Sequence, residues 1–308
     1  MARKNENVRE FLATRRAKVT PEEVGIPRGN GVRRVPGLRR EEVAMLSGVS
    51  VDYYTRIEKG DLTGVSDVVL DAVAQTLRLD DDEYAYLYDL ARATQRPARA
   101  RPTSRTSTIV PQQVQLLIDS MSATPVIALS RRLDVLAANG LGRALFDVVY
   151  SSPTRRSAAS APNLASFVFL DPAAAGFYDD LDDAAATCVK ILRAQAGATP
   201  HDKKLAQLVG ELSTRSSDFS ALWAAHDVGV HRSGRKVLHH HEVEELALGF
   251  EELTLDSAPS IVLSAYIAEP ASPTAERLQL LAAWEATEAR SSATDDVDSV
   301  DTYSSTGS

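Results

Sequence analysis

The chain has 308 residues, of which 44% are apolar and 25% charged, enough for two domains with separate hydrophobic cores. It contains no run of about 18 apolar residues and no apolar segment near its start, so we predict neither a transmembrane helix nor a signal peptide. The single cysteine, Cys188, excludes an internal disulfide and fits the reducing cytoplasm in which we expect the protein.

The net charge of −8 is unevenly distributed along the chain. Residues 1–40 contain 11 Lys and Arg against 4 Glu, whereas residues 107–308 contain 15 basic and 26 acidic residues. A basic end on an acidic protein indicates a localised contact with an anionic partner such as nucleic acid. The alternative is a chance cluster of solvated arginines.

Residues 4 to about 92 predict a compact set of five short helices. The first has an apolar face formed by Val8, Phe11 and Leu12. Glycines and N-cap residues mark where the later helices begin and end. These expected signals are Gly48, Ser50, Gly60, Ser66 and the pair Asp80 and Glu83.

Two of these helices, RREEVAMLSG and VDYYTRIEKG, predict a helix-turn-helix, with the small Ala44 where they would approach each other. In that motif the second helix lies in the DNA major groove. We expect Tyr54 and Ile57 to face the core. The residues expected to face DNA are Val51 and Asp52 at base edges, Tyr53 at a base or a phosphate, and Arg56 and Lys59 at phosphates.

Arg39 and Arg40 stand in the first turn of the preceding helix, where the helix dipole disfavours a cation by a few tenths to about 1 kcal/mol. A bound phosphate reverses that effect by accepting from both the free backbone amides and the guanidinium groups. We therefore predict DNA phosphate contacts for both, and for Arg33 and Arg34 in the loop before them. The alternative is that the Glu-Glu pair at 41–42 simply offsets the two charges.

The rest of the chain mixes helices and strands. VIALS, LDVLAAN, RKVLHHH, EELALGFEEL and SIVLSAYIAEP predict strands, with a bulge at Glu251 and Glu252 where the apolar alternation breaks. Helices between these strands indicate a small antiparallel sheet covered on one face. We predict a multidomain chain: an all-α helix-turn-helix domain at 1–95, a linker at 96–107, an α+β domain at 108–286 and a disordered acidic tail at 287–308.

The segment EEVAMLSGVSVDYYTRIEKG resembles the XRE-type helix-turn-helix. Together with VLDAVAQTLRLDDDEYAYLYDLAR, PVIALSRRLDVLAAN, FVFLDP, LVGELSTRSSDFSALWAAHDV and HRSGRKVLHHHEVEELALGFEEL, it is similar to the MmyB-like transcription regulators of actinobacteria over residues 8–283. The resemblance implies a PAS-like C-terminal domain that binds a small, fatty-acid-like molecule. No other cofactor is expected.

The space between sheet and helices is a common location for an apolar ligand. Arg132 and Asn139 are candidates to hold a carboxylate head group. Alternatively, Asn139 only caps the helix GLGRALFD and the aromatic residues are core. The side chains that we predict to enclose the ligand tail are Phe167, Phe169, Trp223 and Phe250.

The run His239-His240-His241 predicts no metal site, because adjacent side chains in a strand point to opposite faces. The chain has no Gly-x-Ser-x-Gly motif, and we expect no enzymatic activity. The sequence thus favours a homodimeric regulator that binds a double-stranded operator and a small apolar or amphipathic ligand, without a membrane partner. The alternative is a regulator whose C-terminal domain only dimerises or binds a protein partner.

Overall fold

The computed structural model describes residues 2–27, 35, 37–95, 109–155, 157, 159–225 and 233–301. The chain forms two compact units, Met1–Arg105 with Val189–Val230, and Thr106–Cys188 with His231–Ser308. The units do not follow the order of the predicted domains, because residues 189–230 group with the N-terminal helices. The predicted linker at 96–107 lies outside the described residues.

Five α-helices build the N-terminal part of the first unit, as predicted. They are α1 (Ala2–Lys18), α2 (Arg40–Leu46), α3 (Val51–Glu58), α4 (Asp67–Thr76) and α5 (Asp81–Gln95), with a short 3-10 helix at Glu22–Val24. The predicted N-caps are present: Ser50 Oγ accepts from the Tyr53 amide at 3.1 Å, and Ser66 Oγ accepts from the Val69 amide at 3.4 Å. Asp80 and Glu83 each accept from the other's backbone amide.

The core of these helices follows the predicted apolar face. Val8, Phe11 and Leu12 of α1 are fully buried, and so are Tyr54 and Ile57 of α3. Burial of each large side chain contributes about 1.5–3 kcal/mol, which fixes the helices against one another. The short α2 buries only its valine and alanine at 43–44, so its methionine at 45 is left 66% exposed.

The middle of the chain contains one helix, a strand hairpin and a series of short and long helices. In chain order they are α6 (Gln112–Asp119), β1 (Val126–Ser130), β2 (Val135–Ala138), α7 (Gly140–Leu145), α8 (Asp147–Tyr150), α9 (Leu164–Leu170), α10 (Ala174–Phe177), α11 (Leu181–Ala198), α12 (Lys203–Arg215) and α13 (Ser217–Ala224). The helices predicted between the two groups of strands are therefore confirmed.

The remaining elements complete a five-stranded antiparallel sheet. They are β3 (Ser233–His240), β4 (Glu244–Thr254), β5 (Ile261–Ile267) and the long α14 (Pro273–Asp301). The strand order is β2-β1-β5-β4-β3, with every pair antiparallel. The predicted α+β arrangement is confirmed. Ile261 and Leu263 of β5 face a core shared with Val114 and Ile118 of α6.

Two sequence predictions about this unit are wrong. The β4–β5 register runs without interruption from Gly249 to Thr254, so no bulge occurs at Glu251 and Glu252; the register instead shifts in β1, between Ala128 and Leu129. The tail predicted to be disordered from residue 287 continues α14 to Asp301. That segment has neither Pro nor Gly to end the helix, and propagating an anchored helix avoids the unfavourable nucleation step.

Candidate functional sites

The turn between α2 and α3 has helix-turn-helix geometry. Gly48 has a φ of +67°, the left-handed conformation that commonly ends a helix. The amide of Val49 donates to the carbonyl of Ala44 at 2.9 Å, and Ala44 is fully buried. The turn and the Ser50 cap therefore hold α3 with one face in the core and the other in solvent.

The outward face of α3 carries the residues that the sequence placed there. Val51 is 46% exposed, Asp52, Arg56 and Lys59 are exposed, and Tyr53 is half-buried. The Arg56 guanidinium lies 4.8 Å from the centre of the Tyr53 ring, and its Nε is 3.8 Å from a carboxylate oxygen of Asp61. These contacts hold the arginine close to the helix surface. The result is a mixed polar and apolar face of about two turns.

Glu58, at the end of α3, is the centre of an ion network that the sequence prediction missed. Its side chain is only 2% exposed, and its two oxygens accept from Arg40 Nε at 2.9 Å and Arg40 Nη2 at 3.3 Å. Arg16 Nη2 of α1 also donates to it, at 2.9 Å. Hydrogen bonding to Glu58 raises the pKa of Arg40. The network ties α1, α2 and α3 together around one buried carboxylate.

The arginines before and within α2 differ in their surroundings. Arg40 has its main partner in Glu58, which neither of the two interpretations of the sequence included. Arg39 is exposed; its backbone amide donates to Glu42 Oε2 at 2.7 Å, and Arg39 Nη1 is 3.5 Å from Glu41 Oε1. The acidic pair therefore offsets Arg39, although the exposed contact is long. Arg33 and Arg34 lie outside the described residues.

In the second unit, five aromatic rings form a buried cluster against the helix-covered face of the sheet. We call this group the aromatic cluster. The ring centres of neighbouring members lie 5.0–6.2 Å apart, and most pairs are tilted or edge-to-face, as aromatic quadrupoles prefer. The members are Phe146, Phe167, Phe177, Tyr178 and Tyr266.

Polar groups lie within this apolar surrounding. Tyr178, Tyr266 and Cys188 are 9%, 8% and 7% exposed, and their side chains interact electrostatically with one another. Burial raises the pKa of both phenols, and it raises the pKa of the Cys188 thiol to about 12. Among the described residues, neither phenolic oxygen has a hydrogen-bond partner. A hydroxyl without a protein partner can donate to a polar ligand group close to it.

Comparison with known families bears on both units. Residues 110–281 match the family model for the MmyB-like transcription regulator ligand binding domain, which is more than half of the chain. The chain belongs to the MmyB-like transcription regulator family. Residues 9–87 of this MmyB-like regulator match a helix-turn-helix domain. No curated protein matches the chain.

The two matches agree with the geometry. An MmyB-like regulator with this pair of domains is a DNA-binding transcription regulator that also has a ligand-binding domain. Both matched domains belong to transcription regulators rather than to an enzyme class. In the described part of the chain, no helix is both long and apolar enough to cross a lipid bilayer.

The predicted head-group pair of the MmyB-like domain needs correction. Asn139 Nδ2 donates to the carbonyls of Met121 and Thr124, both at 2.8 Å, while its Oδ1 accepts from the amides of Val126 and Gly142 at 3.0 and 2.7 Å. These four bonds use the two donors and two acceptor positions of the amide. The alternative interpretation, in which Asn139 caps α7, is therefore confirmed.

Arg132 has a different environment from Asn139 and is not its partner. It is 5% exposed, and its Nη2 donates to Asp134 Oδ2 at 3.0 Å. The Arg132 carbonyl accepts from Asn163 Nδ2 at 2.8 Å. Arg132 thus helps to fix the β1–β2 turn and the start of α9. A buried arginine that is already paired with a carboxylate is a poor match for the predicted role of carboxylate receptor.

The four predicted tail residues lie on three different elements, α9, β4 and α13. Phe167 belongs to the aromatic cluster, and the half-buried Phe169 lies on the same helix, α9. Phe250 is 7% exposed on β4, with Lys236 Nζ 5.3 Å from its ring centre. Trp223 belongs to the first unit, where it stacks on Phe219 beneath the Arg193 guanidinium.

The sequence analysis did not predict Glu58 or the group of Tyr178, Tyr266 and Cys188. Only Glu58 has a signal in the sequence. Glu58 follows Tyr54 by four positions and Ile57 by one, a spacing that puts a charged residue on the buried face of α3. Tyr178, Tyr266 and Cys188 come from segments up to 88 positions apart, and nothing in their local patterns links them.

Proposed function

We propose that this protein is a one-component, sequence-specific transcription regulator of the cytoplasm, in which a small apolar or fatty-acid-like molecule changes the affinity for an operator. The observation that carries the proposal is the outward face of α3, held by a capped turn and a buried ion network in a chain that also has an MmyB-like ligand-binding domain. A face that carries both hydrogen-bonding and apolar groups suits the major groove.

We assign base contacts to the first turn of α3. The exposed Val51 suits the methyl group of a thymine, and the exposed Asp52 suits the amino group of a cytosine. Tyr53, Arg56 and Lys59 follow along the same face and suit the phosphates on either side. Base contacts provide sequence specificity, while phosphate contacts provide affinity and orientation.

We assign a positioned phosphate contact to Arg40. Its side chain remains 52% exposed although Nε and Nη2 are bonded to Glu58. The planar guanidinium is thereby fixed before DNA arrives, so less rotamer entropy is lost on binding. Arg39, which is exposed and only loosely paired, is a second candidate, and Arg33 and Arg34 are candidates from sequence alone.

The aromatic cluster supports an apolar ligand with one polar end. Its rings supply an apolar wall, and the Tyr178 and Tyr266 hydroxyls supply donors for a carboxylate or a hydroxyl group. A ligand acceptor would give each hydroxyl a hydrogen bond, worth about 0.5–1.5 kcal/mol net. We therefore propose these two tyrosines, rather than Arg132 and Asn139, as the head-group contacts.

Regulation requires the ligand to favour one arrangement of the protein over another. We propose that the relevant arrangement is the spacing of two helix-turn-helix motifs in a homodimer. One motif reads a half-site, and two motifs about 34 Å apart read a two-fold operator. A ligand that binds both spacings equally leaves DNA affinity unchanged.

DNA binding is tested by selecting bound fragments from a random duplex pool with the full-length protein. We expect a two-fold sequence, and affinity that falls with salt. Arg39→Ala should reduce the slope of log affinity against log salt by about one unit. Arg215→Ala is the matched control, since it removes an exposed helical arginine in α12 that pairs with Glu211. Equal slopes for both variants contradict the phosphate assignment.

Ligand binding is tested by native mass spectrometry of the purified full-length chain. We expect a retained mass per protomer that is released by denaturation, and a dimer in the same spectrum. A dimer that carries no additional mass, and that binds none from an added C12–C18 fatty-acid mixture, favours the alternative in which the C-terminal domain only dimerises or binds a protein.

A further inference from the structure

The hairpin between β3 and β4 contains three consecutive histidines. The sequence suggested that a strand runs through all three, but β3 ends at His240 and a turn follows at residues 241–243. Glu244 has a positive φ of 59°, which helps to reverse the chain. Because His241 has left the strand, its ring no longer points away from its neighbour. The rings of His240 and His241 are stacked, with centres 4.6 Å apart and planes at 27°.

A carboxylate from a distant part of the chain faces both rings. His240 Nε2 is 3.6 Å from Asp147 Oδ1, and His241 Nε2 is 3.6 Å from Asp147 Oδ2. One ligand atom from each of the three residues lies within 4.8 Å of the other two. Asp147 begins α8 and is 93 positions before His240, so the sequence gives no sign of this arrangement.

These distances are close to those around a tetrahedral metal ion. Zinc binds imidazole nitrogen and carboxylate oxygen at about 2.0–2.2 Å, which places two ligand atoms of a tetrahedron about 3.3–3.6 Å apart. Both histidine–aspartate distances of 3.6 Å lie at the upper end of that range. Two imidazoles with one carboxylate is also a known zinc-binding set, and it suits other late first-row ions.

We propose that His240, His241 and Asp147 bind a divalent transition-metal ion of the zinc type. Glu242 Oε1 is 3.5 Å from His241 Nε2 and can supply a fourth ligand, in place of water. A cleft of about 260 Å³, lined by these three residues together with Val148, Ala173, Gly176, Phe177 and His239, gives the ion access.

Metal binding must displace hydrogen bonds that His240 now makes. Its Nε2 lies 3.1 Å from the Ala144 carbonyl, and its Nδ1 accepts from the Glu242 amide at 3.2 Å. An ion on Nε2 takes the place of the Ala144 contact, and the ring proton must then move from Nε2 to Nδ1. Because Nδ1 can no longer accept, the Glu242 amide must turn away. Metal binding is therefore coupled to the end of α7 and to the β3–β4 turn. The exchange predicts moderate rather than extreme affinity.

The cleft connects this site with the interior of the domain. Phe177 lines the cleft and is also a member of the aromatic cluster, where its ring centre is 5.0 Å from that of Tyr178. An ion at the hairpin would thus act next to the proposed ligand site as a separate input. The metal site does not depend on the proposed DNA or ligand function, and its test uses neither.

The experiment is a zinc titration by calorimetry on the full-length protein, freed of any affinity tag and of metal by a chelator. We expect one zinc ion per chain. His241→Ala and Asp147→Asn should each weaken binding by at least about tenfold, the size expected when part of a metal site is lost. Both positions are more than 40% exposed, so the variants are expected to fold.

Two histidine variants serve as controls. His201→Ala removes an exposed histidine between α11 and α12, and His239→Ala removes the cleft histidine whose Nε2 contacts Asp179 at 3.0 Å. Neither should change zinc affinity more than about twofold. The proposal is overturned if the unmodified chain takes up no zinc, if His241→Ala and Asp147→Asn bind it as tightly as the unmodified chain, or if His239→Ala has the larger effect.

Discussion

Helix α3 and the aromatic cluster treat polar groups in opposite ways. On α3 the polar side chains of the outward face are exposed, while the buried carboxylate of Glu58 accepts from Arg16 and Arg40 on the inner side of the helix. In the aromatic cluster, Tyr178 and Tyr266 are only 9% and 8% exposed, and their hydroxyls have no partner in the described chain. Glu58 is thus bonded within the protein, whereas we propose that the two phenols bond to a ligand.

This difference predicts opposite signs for substitutions. Removing a buried group that is fully paired destabilises the protein, because its partners are left without a counter-charge or a hydrogen bond. Removing a hydroxyl that has no protein partner costs little in the free protein and matters mainly when ligand is bound.

Glu58→Ala should have the largest effect on stability. It leaves Arg16 and Arg40 without their shared carboxylate, and breaking a buried ion pair typically costs about 3–5 kcal/mol. We expect the lower end of that range, about 3 kcal/mol in the free energy of unfolding by urea, because Arg40 is half exposed. Glu41→Ala, at an exposed glutamate of the same helix pair, should change stability by less than about 0.5 kcal/mol. Similar values for the two variants would show that the Glu58 network contributes little to stability.

Asn139→Ala should destabilise the second unit by about 2–3 kcal/mol. The substitution removes the N-cap of α7, for about 1 kcal/mol, and leaves the buried Val126 amide without its acceptor, for a further 1–2 kcal/mol. Thermal unfolding measures the change, and Asn163→Ala, at the N-cap of α9, provides a comparison. Ligand retained per folded chain should stay the same. Loss of ligand at unchanged stability would indicate instead that Asn139 contacts the head group of the ligand.

Asp52→Ala should relax sequence preference without general loss of DNA affinity. If Asp52 accepts from a cytosine, the preference at one base pair of each half-site falls by about 1–3 kcal/mol. Binding to the selected operator and to its single-base variants, at one fixed salt concentration, measures this effect. Asp81→Ala, at an exposed aspartate of α5, is the control. A uniform change over all variants would mean that Asp52 acts only through the overall charge.

Tyr178→Phe and Tyr266→Phe should give the smallest effects, with opposite signs in the free and bound protein. Without ligand, each should leave the melting temperature unchanged or raise it slightly, because neither hydroxyl has a hydrogen-bond partner to lose in the described chain. With ligand, each should lose about 0.5–1.5 kcal/mol of binding free energy, that of one net hydrogen bond. Tyr150→Phe is the control, since the Tyr150 ring contacts Arg143 rather than the aromatic cluster. Destabilisation of the free protein by both variants would contradict the model of an incomplete site.

The features that depend on local spacing could be predicted from the sequence alone. Periodicity and backbone preference over a few residues predict the caps at Ser50 and Ser66 and the buried and exposed faces of α3. They also predict the five strands and the helices between the two groups of strands. The cap role of Asn139 was also among the alternatives. Family resemblance in the same segments fixed the class of protein, and the family match confirms it.

Which distant groups meet depends on the packing of the folded chain and could not be predicted from local patterns. Three groups show this: Arg40 with Glu58, Tyr178 with Cys188 and Tyr266, and Asp147 with the two histidines. They join positions 10 to 94 residues apart. No local pattern encodes such pairs, because they depend on how complete helices and strands pack. The failed β4 bulge has the same origin: the pairing with β5 sets the register, and it tolerates exposed glutamates that break the alternation.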